Sequence, residues 1–309
     1  MQNEQHYYEN KGINPDPREQ HYENKAINTD PREQQQFDRG SKLTPKKSHM
    51  GGFLLALLLI VCLVGGGLFA FTSFSKQQSV ADRAFTLTGH SQLTVTNDSG
   101  RVSIHAGNTD RIIVHSTRFV SGFGASLDNI HTDYTQNGNA ISISGHEDNA
   151  FLSLGLGGVD FDISVPNTTD LTLHTGSGDI HVTDITGQSK ADTGSGNIEA
   201  NNINGQTTLS TGSGNIQIEQ VKLSGQSSLH TGSGNIRLTG SLAPNGNYLL
   251  DTGSGNVTVN MPADSAFQLK TKTGSGDLHN SFGSNQVGTS PYAELSIQTG
   301  SGNIKVNKQ

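Results

Sequence analysis

From Asn167 onward the chain alternates apolar and polar positions in short runs, and the parity of the alternation flips at regular intervals. Leu171, Leu173 and Thr175 share one parity, Ile180 and Val182 the other. The same switch separates Leu209 and Thr211 from Ile216 and Ile218, and Leu295, Ile297 and Thr299 from Ile304 and Val306. A period of two predicts strands with one buried face. A parity flip requires one extra residue between two such strands, so each break is predicted to be a bulge or corner.

The breaks share one sequence. Seven times between Thr175 and Ile304 the chain reads Thr-Gly-Ser-Gly, then Asn or Asp, then Ile, Val or Leu. The corner residues are Thr175, Gly176 and Gly178; Thr193, Gly194 and Gly196; Thr211, Gly212 and Gly214; Thr231, Gly232 and Gly234; Thr252, Gly253 and Gly255; Thr273, Gly274 and Gly276; and Thr299, Gly300 and Gly302. The threonines lie 18, 18, 20, 21, 21 and 26 residues apart. Self-similarity at this period predicts a solenoid, in which each coil buries its apolar face against its neighbours. Glycine is expected at the corners for backbone angles with φ > 0, and the following Asn or Asp for its tolerance of the left-handed region. Stacking adds a second reason. With coils roughly 4.8 Å apart, a Cβ at a crowded corner would strike the next coil, whereas Asn and Thr side chains can form ladders along the stack. A second turn recurs at Gly187-Gln188, Gly205-Gln206 and Gly225-Gln226. Two corners per coil predict a flattened all-β solenoid, like a single-stranded β-helix, with two sheet faces.

The corner occurs once more upstream in degenerate form. Asn97-Asp98-Ser99-Gly100-Arg101-Val102 overlays the motif, flanked by Leu93 and Val95 on one parity and Ile104 on the other. The β-region is therefore expected to begin near Phe85. Residues 83–166 read as an irregular β part that caps the first edge of the regular repeats at 167–309. Within it, Arg111–Val114, Ala140–Ile143 and Val159–Val165 read as strands, Asn137-Gly138-Asn139 as a hairpin turn and Gly155–Gly158 as a flexible loop.

Residues Gly51–Phe74 contain no charged side chain, long enough for a membrane-spanning helix, assigned to 51–75. Arg32, Arg39, Lys42, Lys46 and Lys47 precede it, against Lys76 and Arg83 after it. The positive-inside tendency then puts the N-terminus in the cytoplasm and the solenoid outside. Ser73-Phe74-Ser75 resembles a cleavage site, but the long leader and long apolar run favour a retained single-pass anchor. The one cysteine, Cys62, lies inside this run, so no intrachain disulfide supports the fold. Residues 1–50 repeat Glu-Gln-His-Tyr and Asp-Pro-Arg-Glu-Gln units and carry eight acidic and eight basic residues with few aliphatics. Such a tail is expected to be disordered, and its duplicated motif is a candidate docking element for a cytoplasmic partner.

Composition bounds the chemistry. Glycine at 38 residues, no tryptophan and 15% charged residues fit a repetitive β-protein rather than a compact enzyme. From Asn167 onward seven Lys or Arg stand against ten Asp or Glu, and no basic stripe exists for nucleic acid. The column before the repeated threonine reads His174, Asp192, Ser210, His230, Asp251, Lys272 and Gln298. Ser210, His230 and Asp251 would fall on adjacent coils, but an outward row on a sheet offers neither pocket nor oxyanion donors, so no catalytic residue is assigned. His181 with Glu199, or His174 with Asp192, would supply only two metal ligands each, so no metal or cofactor is expected. Outward residues beside the corners, such as Gln217, Arg237 and Lys305, are the expected contact surface.

The degenerate Asn-Asp-Ser-Gly-Arg-Val corner, the strand ending in Val165-Pro166 and the serial Leu-x-Thr-Gly-Ser-Gly-Asn-Ile-x-Val copies together resemble the bacterial DUF4097 β-strand-repeat domain, over about residues 83–308. The resemblance implies the solenoid fold and a candidate-adhesin role, and supplies no catalytic residues. The expected function is thus a non-enzymatic, membrane-anchored extracytoplasmic solenoid. Its partners would be the lipid bilayer through 51–75 and an envelope polysaccharide or surface protein. The alternative is an envelope sensor that signals through its cytoplasmic tail.

Overall fold

The computed structural model describes residues 75–107, 110–148 and 154–309. The tail expected to be disordered and almost all of the expected membrane span lie outside these residues. Ser75, assigned to the end of that span, instead begins a strand, Ser75–Ser79, and the β-structure thus starts before Phe85. No helix among the described residues is long and apolar enough to cross a membrane.

Among the described residues, strands assemble into two sheets of 13 and 11 members. Each regular coil sends the strand leading into its corner to the smaller sheet and the strand leaving it to the larger, as with Thr207–Ser213 and Ile216–Leu223. We call these the entry and exit sheets. Coils stack in parallel and in register at the corners: Thr175, Thr193, Thr211, Thr231, Thr252, Thr299 and Thr273 align along the entry sheet. The degenerate corner joins them, with Asn97 beside Thr175 and Val102 beside Ile180. One apolar core fills the space between the sheets, running from Leu93 through Leu173, Ile216 and Leu250 to Val306. Alternation produces this arrangement, because every second side chain of each strand points inward.

At the corner the chain switches sheets, and its interior groups must be satisfied locally. The Thr211 side chain is buried, and its hydroxyl donates to the Gly196 carbonyl of the preceding coil at 2.9 Å. Thr231 and Thr252 do the same toward Gly214 and Gly234, each at 2.9 Å. Outside, the corner asparagines form the expected ladder. The Asn215 backbone N–H and side-chain amide both reach the Asn197 side-chain oxygen, at 3.0 and 3.3 Å, and Asn235 repeats this on Asn215. Asp179 replaces Asn where the ladder begins, accepting from the Asn197 N–H at 2.8 Å. The coil beyond it presents Arg101, which has no side-chain acceptor, so an amide donor at 179 would find no partner there.

The corner glycines meet both expected requirements: Gly255, Gly276 and Gly302 have φ of 149°, 137° and 146°, and the stacked backbones leave no room for a Cβ. A Cβ on Gly212 would lie 2.6 Å from the Gly194 carbonyl oxygen, and one on Gly214 would overlap the Gly196 carbonyl. Close approach of stacked backbones excludes a side chain at both positions. The corner Asn residues do not adopt positive φ; the left-handed non-glycine residues are Asp184, Asn202 and Gln220, at 63°, 53° and 53°, and Asn245 at 61°.

The ends depart from sequence order. At one end, Ile130–Asn137 pairs antiparallel with Ala140–Glu147 through the expected hairpin turn, Gly138 having φ 62°. Arg111–Phe123 pairs antiparallel with Leu154–Val165. Gly155–Gly158 belong to that strand and form no loop, with Gly157 opposite Val120. At the other end, the Thr299 coil lies between those of Thr252 and Thr273. The insertion before it is held by a short strand, Gln286–Val287, antiparallel to Phe267–Gln268, with Phe282 edge-on to Phe267 at 5.0 Å.

Two substitutions separate crowding from conformation. Gly214→Ala is expected to lower unfolding free energy by about 3 kcal/mol or more through its clash. Gly138→Ala, with nothing near the new methyl, should cost about 1–2 kcal/mol from its positive φ alone. Equal losses in denaturant unfolding would contradict close approach as the constraint. Thr211→Val, which leaves the Gly196 carbonyl without its hydroxyl donor, should cost about 1–3 kcal/mol in the same measurement.

Candidate functional site

The exit sheet brings the expected contact residues together. Outward positions align as Gln217, Arg237, Thr258 and Lys305 on four successive coils. With Asn215, Asn235, Asn256 and Asn303 they line a shallow depression of about 460 Å³. Gln217 donates to Glu219 at 3.1 Å, and Arg237 lies 3.9 Å from the same carboxylate. The corner threonines and glycines lie inside or against the stack and shape the rim; Thr175, Thr193, Thr211, Thr231, Thr252 and Thr299 are buried.

On the entry sheet, the column before the threonines forms paired contacts between neighbouring coils. His174 meets Asp192 at 3.0 Å and His230 meets Asp251 at 3.0 Å. Ser210 stands beside His230 in register, but the described hydrogen bonds include none between their side chains. His181 meets Glu199 at 3.1 Å on the exit sheet. His279 lies beyond Lys305 in that column, one coil farther away than sequence order implies. Among the described residues no three His, Cys, Asp or Glu side chains converge.

A larger feature covers the rest of the entry face. Two open depressions, of about 630 and 350 Å³, share Gln206 and Thr208 and so form one trough across the coils. The register aligns Thr172, Lys190, Thr208, Ser228 and Leu249 in one column; beside it, at or just ahead of the strand starts, lie Asp170, Gln188, Gln206 and the register pair Gln226 and Asn247. Tyr248 fills the core beneath, its hydroxyl within 2.8 Å of the Ala243 carbonyl and 3.1 Å of that of Leu223. Burial pushes the Tyr248 hydroxyl pKa up, with the Ala243 hydrogen bond opposing. Partial burial also pushes the Asp170 carboxyl up, but the His90 hydrogen bond, the Gln188 N–H and the His90 charge outweigh it and hold the pKa below 3.8. By sequence, Gln188, Gln206 and Gln226 mark only the second turn of each coil. Their recurrence at or directly ahead of the start of successive entry strands is the signal of an outward row.

A family model described as Toastrack DUF4097 matches residues 91–307. The chain belongs to the DUF4097 family. No curated protein matches it. Solved structures similar to this DUF4097 domain include a candidate cell adhesion protein from Clostridium sporogenes, 14% identical, covering 76% of this chain and 100% of that one with a TM-score of 0.33. A candidate adhesin from Bacteroides fragilis is 13% identical, covering 75% and 97% with a TM-score of 0.45. A candidate lipid binding protein from Parabacteroides distasonis is 10% identical, covering 74% and 96% with a TM-score of 0.25. These values are too low to carry a functional argument, and family membership of the DUF4097 domain rests on the sequence match.

Because the Asp170 pKa is lowered on folding, its contribution to stability is present above pH 3.8 and is lost as pH falls through the folded value. Asp170→Asn is therefore expected to flatten the acid limb of thermal stability, roughly between pH 5 and pH 2. A thermal-unfolding series across that range checks it; parallel limbs for the two proteins would refute the coupling.

Proposed function

We propose that this chain is a non-enzymatic, membrane-anchored solenoid that engages the bacterial cell envelope from outside the cytoplasm, as an adhesin or envelope-interaction protein. One observation carries the reading: both outer faces present side chains in straight columns over many coils, a form suited to an extended partner. Convergence of titratable groups on one reacting atom would be the mark of an enzyme. The charge-free Gly51–Phe74 run, with its basic residues upstream, supports a single-pass anchor and an external solenoid. In this reading the bilayer is one partner and an envelope polysaccharide or surface protein the other, with no cofactor and no nucleic acid.

Protease added to intact protoplasts is expected to digest the solenoid and leave an epitope on residues 1–45 intact; the reverse pattern would overturn the topology. The detergent-solubilised full chain should also co-sediment with isolated envelopes, and its failure to do so would remove the adhesive role. Deletion of residues 1–45 should leave that binding unchanged. A transcriptional response abolished by the deletion would replace adhesion with sensing.

A further inference from the structure

The amide groups of this protein fall into two classes. Those on the corner ladder are committed to one another, as in the Asn215, Asn235 and Asn256 contacts. Those of the entry-face trough are not. Gln226 and Asn247 are paired in register, Gln188 and Gln206 immediately precede the strands Ser189–Ser195 and Thr207–Ser213 of the two coils before them, and among the described hydrogen bonds none uses their side-chain amides. Gln206 and Asn247 line the trough. A carboxamide offers both a donor and an acceptor. A line of them at the roughly 4.8 Å strand spacing therefore presents both functions at every coil.

The neighbouring column supplies hydroxyls from Thr172, Thr208 and Ser228 and one exposed apolar side chain, Leu249, at 39%. The carboxylates of the trough are already paired: Asp170 with His90 at 2.9 Å and Glu294 with Lys270 at 3.3 Å. Lys190 is the remaining cation in the lining. A polyanion would find little complementary charge here, and a polycation none. An extended peptide is also a poor fit, because peptides add to the free edge of a sheet and read its backbone, whereas this face has its backbone committed to the ladders.

We propose that the trough binds a linear, uncharged glycan bearing acetamido groups. Acetamides would match the amide column in both donor and acceptor character, sugar hydroxyls the Thr and Ser column, and an acetamide methyl the Leu249 side chain. The inference rests on the envelope role proposed above and names its ligand class and its face, opposite to that of Arg237 and Lys305.

The test is calorimetric titration of the detergent-solubilised full chain with a β-1,4-linked N-acetylglucosamine hexamer, using the β-1,4-linked glucose hexamer as comparison. The acetamido hexamer is expected to bind and the glucose hexamer to bind about tenfold more weakly or not at all. The Gln206→Ala/Gln226→Ala double variant should lose about tenfold in affinity, the scale of two hydrogen bonds, with unchanged thermal unfolding because both side chains are surface groups. Arg237→Ala/Lys305→Ala should bind the hexamer like the parent. No hexamer binding, equal binding of both sugars, or an unaffected glutamine variant would each overturn the proposal. If envelopes still retain the chain while the hexamer does not bind, the ligand assignment fails alone. If neither binds, the envelope role fails with it.

Discussion

The carbonyl oxygens of the corner glycines occupy the space where the next coil would otherwise place a Cβ, and the whole stack depends on that contact. A β-ladder fixes the separation of neighbouring strands, so a chain that turns between two sheets must bring its turns equally close. Gly176, Gly194, Gly212, Gly232 and Gly253 all meet a carbonyl of an adjacent coil at 2.6–2.7 Å from the position of an added Cβ. Only backbone fits there. The corner's other residues then serve the groups that this compression leaves over: the buried threonine hydroxyl takes the interior carbonyl, and the outward Asn closes the exterior.

Each coil contacts mainly its two neighbours, so stability accumulates along one dimension and individual coils can vary in what they fill. Tyr248 illustrates the latitude. Its coil carries a large aromatic where the two preceding coils place Ser227 and Thr207, and all three side chains remain buried. Variation on the outward columns is freer still, which is why two faces of one scaffold differ: one carries Arg237 and Lys305 beside the asparagine ladder, the other a run of neutral amides and hydroxyls.

Much of this arrangement was legible in the sequence, because period-two alternation and a repeated hexapeptide have few structural solutions. The register at the corners, the two faces and the place of Asn97–Val102 in the array all follow from residue spacing. Both causes expected for the glycines operate, φ > 0 at Gly255, Gly276 and Gly302 and close approach at Gly212 and Gly214, whereas the corner Asn needs no left-handed backbone because its side chain is held by the ladder. Gly155–Gly158 was misread because a glycine cluster lacks the side chains that mark a strand, although its backbone pairs with Arg111–Phe123. The neighbour relations of the Thr273 and Thr299 coils were hidden for a deeper reason: identical corners are interchangeable in register, so spacing alone does not say which coil touches which.

That interchangeability has a kinetic side. The Thr299 coil sits between two coils that precede it in the chain. Simple winding in order of synthesis would dock Thr273 directly on Thr252, a pairing every corner residue would accept. Reaching the native arrangement requires the Thr273 coil to be held off, or displaced, until the later segment slides in as a wedge. The longest connection between successive corner threonines, from Thr273 to Thr299, supplies the slack for that threading, at the cost of non-local contacts that close late in folding.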